Sequence, residues 1–486
     1  MQNDAPAAPE TQAAPDGPGP APTPSTPRST LRRRLLVGSL VGALLLGGGL
    51  LMWPSEEPGP RRGPAPASGA QARAAVTAGV AASLPDLGAL IEQQEALVRQ
   101  QPRDARALAV LGTAYVERGR RTADAAANYP KAERALRASL KAAPEGNPEA
   151  LDGMAALANA RRDFRAARAW GEAALEAAPK RWTTYPLLID AYTGLGDHKK
   201  AHATLERLME LRSGPAVLAR AAAVYRDRGR REDAAAALSD AAAGAVAPVE
   251  EAAWRERAGQ LAWERGEPET ALRQFEEAVR LDPDQRAAQA GQGRALAALG
   301  RTSEALNAYR TALAEQPLPQ YALELGELYE SLGRDQAARA QYDLLRERVR
   351  QDAAGGVDGR LVLGLFEADH GDPAVAVDLL RAEWKRQPGV AVADALGWAL
   401  HQAGDDKEAF GFAVRATDEE HGGGVRSAWY AYHRGMIEQG LKLTGPARRH
   451  LAEALRINPY FSPLHAPAAR AALVKLGEPA DVEPPR

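Results

Sequence analysis

The sequence predicts an all-α protein: a right-handed α-solenoid of about ten helix-turn-helix repeats, preceded by one transmembrane helix. Three observations carry that expectation. After residue 85, small and aromatic residues recur at a fixed distance: Gly259, Gly266, Ala271, Phe275, Ala278 and Pro283 are followed by Gly293, Gly300, Ala305, Tyr309, Ala312 and Pro317, each displaced by 34. Aromatic residues make up only 5% of the chain, and the apolar content leans on Ala, Leu and Val. That balance suits closely packed helices better than sheets, where aromatic and β-branched residues are enriched. Finally, a single long uncharged run precedes the repeats.

Residues 1–34 form a Pro- and Ala-rich tail ending in a basic flank. Eight prolines fall within the first thirty residues, too many for helix or ladder, and almost nothing there could form a core. Arg32, Arg33 and Arg34 then abut the run 35–53, LLVGSLVGALLLGGGLLMW. As a helix those nineteen residues span roughly 28 Å, close to the hydrocarbon thickness of a bilayer. Trp53 ends the run where an amphipathic ring favours the interface. A cleavable signal peptide is the rival reading. The run is long for its apolar centre, however, and no small-x-small site lies close after Trp53. The arginine triplet places the tail on the cytoplasmic side and the large C-terminal part on the exported side. Gly38 and Gly42 form a G-x-x-x-G pair, read either as a close-packing motif or as common membrane-helix filler. Residues 54–75 follow as a Pro-rich linker.

The array is expected over 76–464, with 465–486 as a closing helix and tail. Within each unit, apolar residues at helical spacing are broken by one Gly and later one Pro, which gives two short antiparallel helices. The Gly at 196, 229, 266, 300, 333, 371 and 404 precedes a marked Ala by five residues. It sits where the first helix must stop, because Gly enters the left-handed region cheaply. The Pro at 144, 179, 283, 317, 388 and 459 ends the second helix. Small residues such as Gly293 and Ala305 let the two helices approach, and Phe275, Tyr309 and Tyr342 fill the gap toward the next unit. One hairpin cannot bury both faces, so units must stack.

This pattern resembles the tetratricopeptide repeat, whose signature places W-x2-L-G-x2-Y on the first helix and Ala, an aromatic, Ala and Pro on the second. The resemblance covers roughly residues 105–460. It weakens at the ends: the unit holding Leu111, Gly112 and Tyr115 carries extra residues before Ala132, and the next has Arg162 in place of the helix-ending Gly. The resemblance implies a groove, lined by first helices, that binds protein segments. Carried over unit by unit, its groove positions are Trp263 (with Glu256, Gln260 and Glu264), Arg294, Glu327 and Glu330 (with Leu323), Trp398 and His401 (with Asp394), and Tyr432 and Met436 (with Trp429). Because aromatic residues are scarce, the cluster around Trp398 and Tyr432 is expected to be an exposed anchor site. The rival reading makes those rings packing residues and moves the site to Trp263, Arg294 and Glu327.

Charge and motifs limit the chemistry. Sixty-one Lys and Arg against 63 Asp and Glu leave a net charge of −2, without the basic excess of a nucleic-acid binder. The chain has no cysteine, which excludes disulfides, thiolate nucleophiles and zinc-thiolate sites. No nucleotide loop, metalloprotease motif or nucleophile elbow occurs, and the stretches outside the repeats (about 241–250, 346–358 and 417–428) are too short for a catalytic domain. The expectation is therefore a non-enzymatic, membrane-anchored scaffold with no cofactor, metal or small-molecule substrate. It would bind a protein or peptide partner for assembly of an envelope complex; the alternative is a regulatory subunit of an enzyme on another chain.

Overall fold

The computed structural model describes residues 68–418 and 424–477, all within the unit Pro66–Arg486. The tail and the run 35–53 lie outside the described residues. Among the described residues no helix is long and apolar enough to cross a membrane.

Twenty-three helices and no strand make up the described chain. An opening pair, Ser68–Ala78 and Leu84–Gln100, leads into ten hairpins that run from Ala105–Thr122 with Ala125–Ala142 to Ala428–Gly440 with Thr444–Ile457. The helix His465–Leu476 closes the array. The linker expected to reach residue 75 is cut short, because Ser68–Ala78 is already helical and buries Ala72 and Val76. Prolines cease after Pro66 there, so nothing interrupts the backbone ladder. The extra residues of the first hairpin lengthen both of its helices to 18 residues rather than forming a loop.

The hairpin Pro248–Glu264 with Pro268–Leu281 shows how the sequence makes the unit. Each helix starts with Pro in its first turn, where a missing N–H costs nothing. Between them Gly266 takes φ +76°. Ala271, Leu272, Phe275 and Ala278 form one buried stripe at 3–4 residue spacing. Phe275 is fully buried, its ring lodged between Gly259 of its own unit and Gly291 of the next. A Cβ at Gly259 would meet the ring at 2.7 Å, so the glycine is what admits the phenyl group.

The left-handed turn persists where the sequence lacks glycine. Arg162 (φ 59°) and Lys442 (φ 62°) adopt it in the second and last hairpins. Gly371 is the exception: its φ is −134°, so the expectation of a left-handed residue at 371 is corrected. A carboxylate replaces that geometry, since Glu367 Oε2 accepts from the Asp372 amide at 3.1 Å.

The solenoid coils tightly enough to touch itself. Arg161 Nε donates to the Gly355 carbonyl across 194 residues of chain. Contacts 195 residues apart link Gln316 to the Arg121 carbonyl, Arg231 to the Arg426 carbonyl and Asn458 to the Trp263 carbonyl. One coil therefore takes between five and six units. Along this seam, the turns within first-coil hairpins meet the connections between second-coil hairpins. Two stretches that interrupt the repeat lie on it, 346–358 and the described residues 424–428: Arg348 reaches the Ala123 carbonyl, and a Cβ on Gly229 would come within 2.6 Å of the Gly424 oxygen.

Candidate functional site

Because the second coil closes onto the first, first helices from both coils face a common interior. There the structure holds a cavity of about 880 Å³, the size of a ligand site. Phe164, Thr193, Arg231 and Trp263 line it from the first coil, and Gln387, Val390, Trp429 and Asn458 from the second. Its wall is thus completed across the seam.

Most charges on the wall are neutralised within the protein. Arg226 lies 2.8 Å from Asp227 and 3.7 Å from Glu264. Arg294 lies 3.4 Å from Glu324, which also accepts from the Tyr309 hydroxyl at 3.0 Å. Six arginines and seven carboxylates share the lining, so no cationic track runs through it. Next to the cavity, burial pushes the Glu256 carboxyl up and, with Arg220 adding repulsion, pulls Arg257 down to about 10.

The cavity divides the eight residues expected to bind a partner. Trp263, Arg294 and Glu327 line it; Glu330, Trp398, His401, Tyr432 and Met436 do not. Trp398, expected to be an exposed anchor, is 2% exposed and stacks on His433 with ring centroids 4.4 Å apart. Its indole N–H donates to Asp369 at 2.8 Å. Tyr432 is also 2% exposed, packs against Phe461 and shares a hydrogen bond with His465 Nδ1 at 3.2 Å. Met436 packs on the same cluster, and His401 is bonded to Asp406. Glu330 accepts from the Tyr342 hydroxyl at 2.7 Å. The expectation of an exposed cluster here is corrected. In the last hairpins, histidines of successive first helices stack into the space that an open groove would leave.

Paired acids and imidazoles stabilise that cluster. His465 Nε2 lies 3.5 Å from Asp369 Oδ2. Burial pulls His465 down, yet bonding to Asp369 and its charge lift the imidazole above its usual value. For Asp369 burial acts upward, and the His465 contact outweighs it, holding the carboxyl low. Among the described residues no group of three or more potential ligands is placed to hold a metal ion.

The pattern of the tetratricopeptide repeat matches residues 219–286, 256–317 and 290–353. Residues 219–353 carry tetratricopeptide repeats. Repeats of this kind are protein-binding scaffolds. Among solved structures, the human IFIT1 dimer with PPP-AAAA is similar at 17% identity over 68% of this chain and 78% of that one, with a TM-score of 0.44. Yeast Tom70 is similar at 13% identity over 78% and 97%, with a TM-score of 0.32. A thermophilic TPR protein of Thermus thermophilus, TTC0263, reaches 22% identity over 37% and 92%, with a TM-score of 0.31. No curated protein matches the chain.

Seam residues such as Asn458 and Gln387 escaped the sequence reading of this helical array. Their signal lies just before the prolines that follow second helices: Ala143 and Ala178 in the first two hairpins, but Asp282, Gln316, Gln387 and Asn458 in later ones.

Proposed function

We propose that the chain is a single-pass, membrane-anchored tetratricopeptide scaffold that captures an extended protein segment inside its coil, for assembly or biogenesis of an envelope complex. The cavity completed across the seam carries this reading. It offers aromatic and aliphatic walls from Phe164, Trp263, Leu323 and Trp429, and each of its seven carboxylates lies within 4 Å of an Arg or His side chain. Such a wall favours an apolar peptide surface, and seven carboxylates against six arginines disfavour a phosphate backbone. The run 35–53, behind its arginine triplet, supports anchoring with the array on the exported side.

The test is capture by the full chain from its own membranes, compared with Ala298→Trp. Ala298 lines the cavity on the helix Arg286–Ala298, so an indole there fills the space without touching the seam. The expected result is loss of the captured protein with an unchanged helical circular dichroism spectrum. Equal capture by both proteins would move the site out of the cavity.

A further inference from the structure

The position before the second-helix proline changes character along the chain. In the first two hairpins it is Ala143 and Ala178, and each caps its helix through its backbone alone, donating to the carbonyls of Ser139 and Ala174. Gln387 and Asn458 make the same backbone bonds, to Glu383 and Ala454. Locally, then, alanine suffices. What the polar side chains add is reach to the previous coil. Gln387 Nε2 donates to the Arg162 carbonyl at 2.8 Å, and its Oε1 accepts from the Phe164 amide at 3.2 Å. Asn458 Nδ2 donates to the Trp263 carbonyl at 2.7 Å. Both side chains belong to residues that are 2% exposed. Asp282 and Gln316, at the same position of their hairpins, also reach back: Arg121 donates to Asp282 at 2.9 Å, and Gln316 donates to the Arg121 carbonyl at 3.1 Å. Of the six hairpins that have this proline, the two with no coil before them have alanine there, and the four lying over an earlier coil have a side chain that spans the gap.

Two of these spans end on the cavity. Phe164 and Trp263 are its first-coil aromatic residues, and Gln387 and Asn458 line it from the other side. We infer that Asn458 and Gln387 are positioning residues of the capture site, holding Trp263 and Phe164 of the first coil against the second so that the cavity exists only while the seam is shut. The inference rests on the capture reading above. A segment that binds only the shut coil stabilises the seam, and by linkage a looser seam weakens binding by the same factor. Removing either side-chain donor deletes a buried bond across the seam, although the Trp263 carbonyl keeps the Gly266 amide and the Arg162 carbonyl keeps Arg386.

The local role of Asn458 can be separated from its seam role. Its Oδ1 accepts from the Tyr460 amide at 2.8 Å, a bond within its own connection. Asn458→Asp keeps that acceptor but has no N–H to give Trp263, whereas Asn458→Ala loses both. The experiment uses the purified full chain with a photo-reactive residue at Gln260. Hydrogen exchange is read at 263–266 and 457–458, and for Gln387→Ala at 162–164 and 386–387; photo-adduct yield is measured with membrane extract as the probe. For Asn458→Asp, Asn458→Ala and Gln387→Ala, exchange at the affected seam segments should rise at least tenfold, adduct yield should fall several-fold, and protection in the helix Pro268–Leu281 should stay unchanged. An Asn458→Asp protein that behaves like the parent on both readouts assigns Asn458 to its local turn and overturns the inference. So does raised seam exchange with undiminished adduct. Absence of any adduct from the parent chain overturns the capture reading itself, and this inference with it.

Discussion

Asn458 donates its side-chain amide to the carbonyl of Trp263 at 2.7 Å, although 195 residues separate the two in the chain. That bond ties the last hairpin to the fifth and shows the array to be a coil that rests on itself. Gly266, three residues on, has no room for a side chain: a Cβ would lie 2.9 Å from the Asn458 Cα and 3.0 Å from the Ile457 oxygen.

The glycines that end first helices therefore separate seam from turn. Gly266 and Gly300 have nearly the same φ, +76° and +75°, but a Cβ on Gly300 meets nothing within 4 Å. Gly300→Ala should cost only the left-handed penalty, about 1–2 kcal/mol. Gly266→Ala should cost that and the seam clash, giving the larger drop in melting temperature. Equal drops would show that the seam contributes nothing to stability.

Phe275→Ala should destabilise the array by about 3–5 kcal/mol, because its ring fills the space between Gly259 and Gly291 and the cavity left there cannot collapse onto two glycines. Ala271→Glu, at a fully buried helix contact, should locally unstack the array. Thermal melts check both, and unchanged curves would place the repeat register elsewhere.

Trp398→Ala should lower stability by about 3–5 kcal/mol as well, since the indole is a packing residue stacked on His433. Denaturant titration measures it. A small loss would return Trp398 to the exposed role that its groove position suggested.

The Asp369–His465 pair makes stability depend on pH. A raised imidazole pKa contributes stability that is full below the unfolded value of about 6.5 and is lost as pH rises through the folded value. The lowered Asp369 contributes above its unfolded value of about 3.9 and loses that as pH falls through its folded value. Between about pH 6 and 8.5 the parent should therefore lose more melting temperature than His465→Gln, which removes the raised imidazole. Parallel declines would show the pair to be uncoupled.

A reporter active only in the cytoplasm, fused after Arg486, should give no signal if the array is exported as the arginine triplet before residue 35 implies. A bright signal reverses the topology.

Much of this was legible in the sequence, because repeats encode local contacts. The 34-residue spacing located the hairpins, and the pairing of Phe275 with small residues followed from helix approach. The coil was not legible in the same way. Its contacts lie about 195 residues apart, and the residues that make them, such as Gln387 and Asn458, hold a recurring position whose residue type changes from unit to unit. The stretch 346–358 read as a gap between units, yet much of it is helix, continuing to Ala354, and its Arg348 holds the Ala123 carbonyl. Trp398 misled for a related reason. Its position faces the groove in a straight array, and only the neighbouring first helices show that His433 and His465 close over it.

The central claim, capture inside the coil, is tested most directly by photo-crosslinking from two positions on one hairpin in the living host. Gln260 lines the cavity on the helix Pro248–Glu264, and Glu276 lies exposed on the helix Pro268–Leu281. A photo-reactive residue at Gln260 should give a discrete protein adduct that the same residue at Glu276 does not. Adducts from Glu276 with none from Gln260 would place the partner on the outer surface and contradict the account.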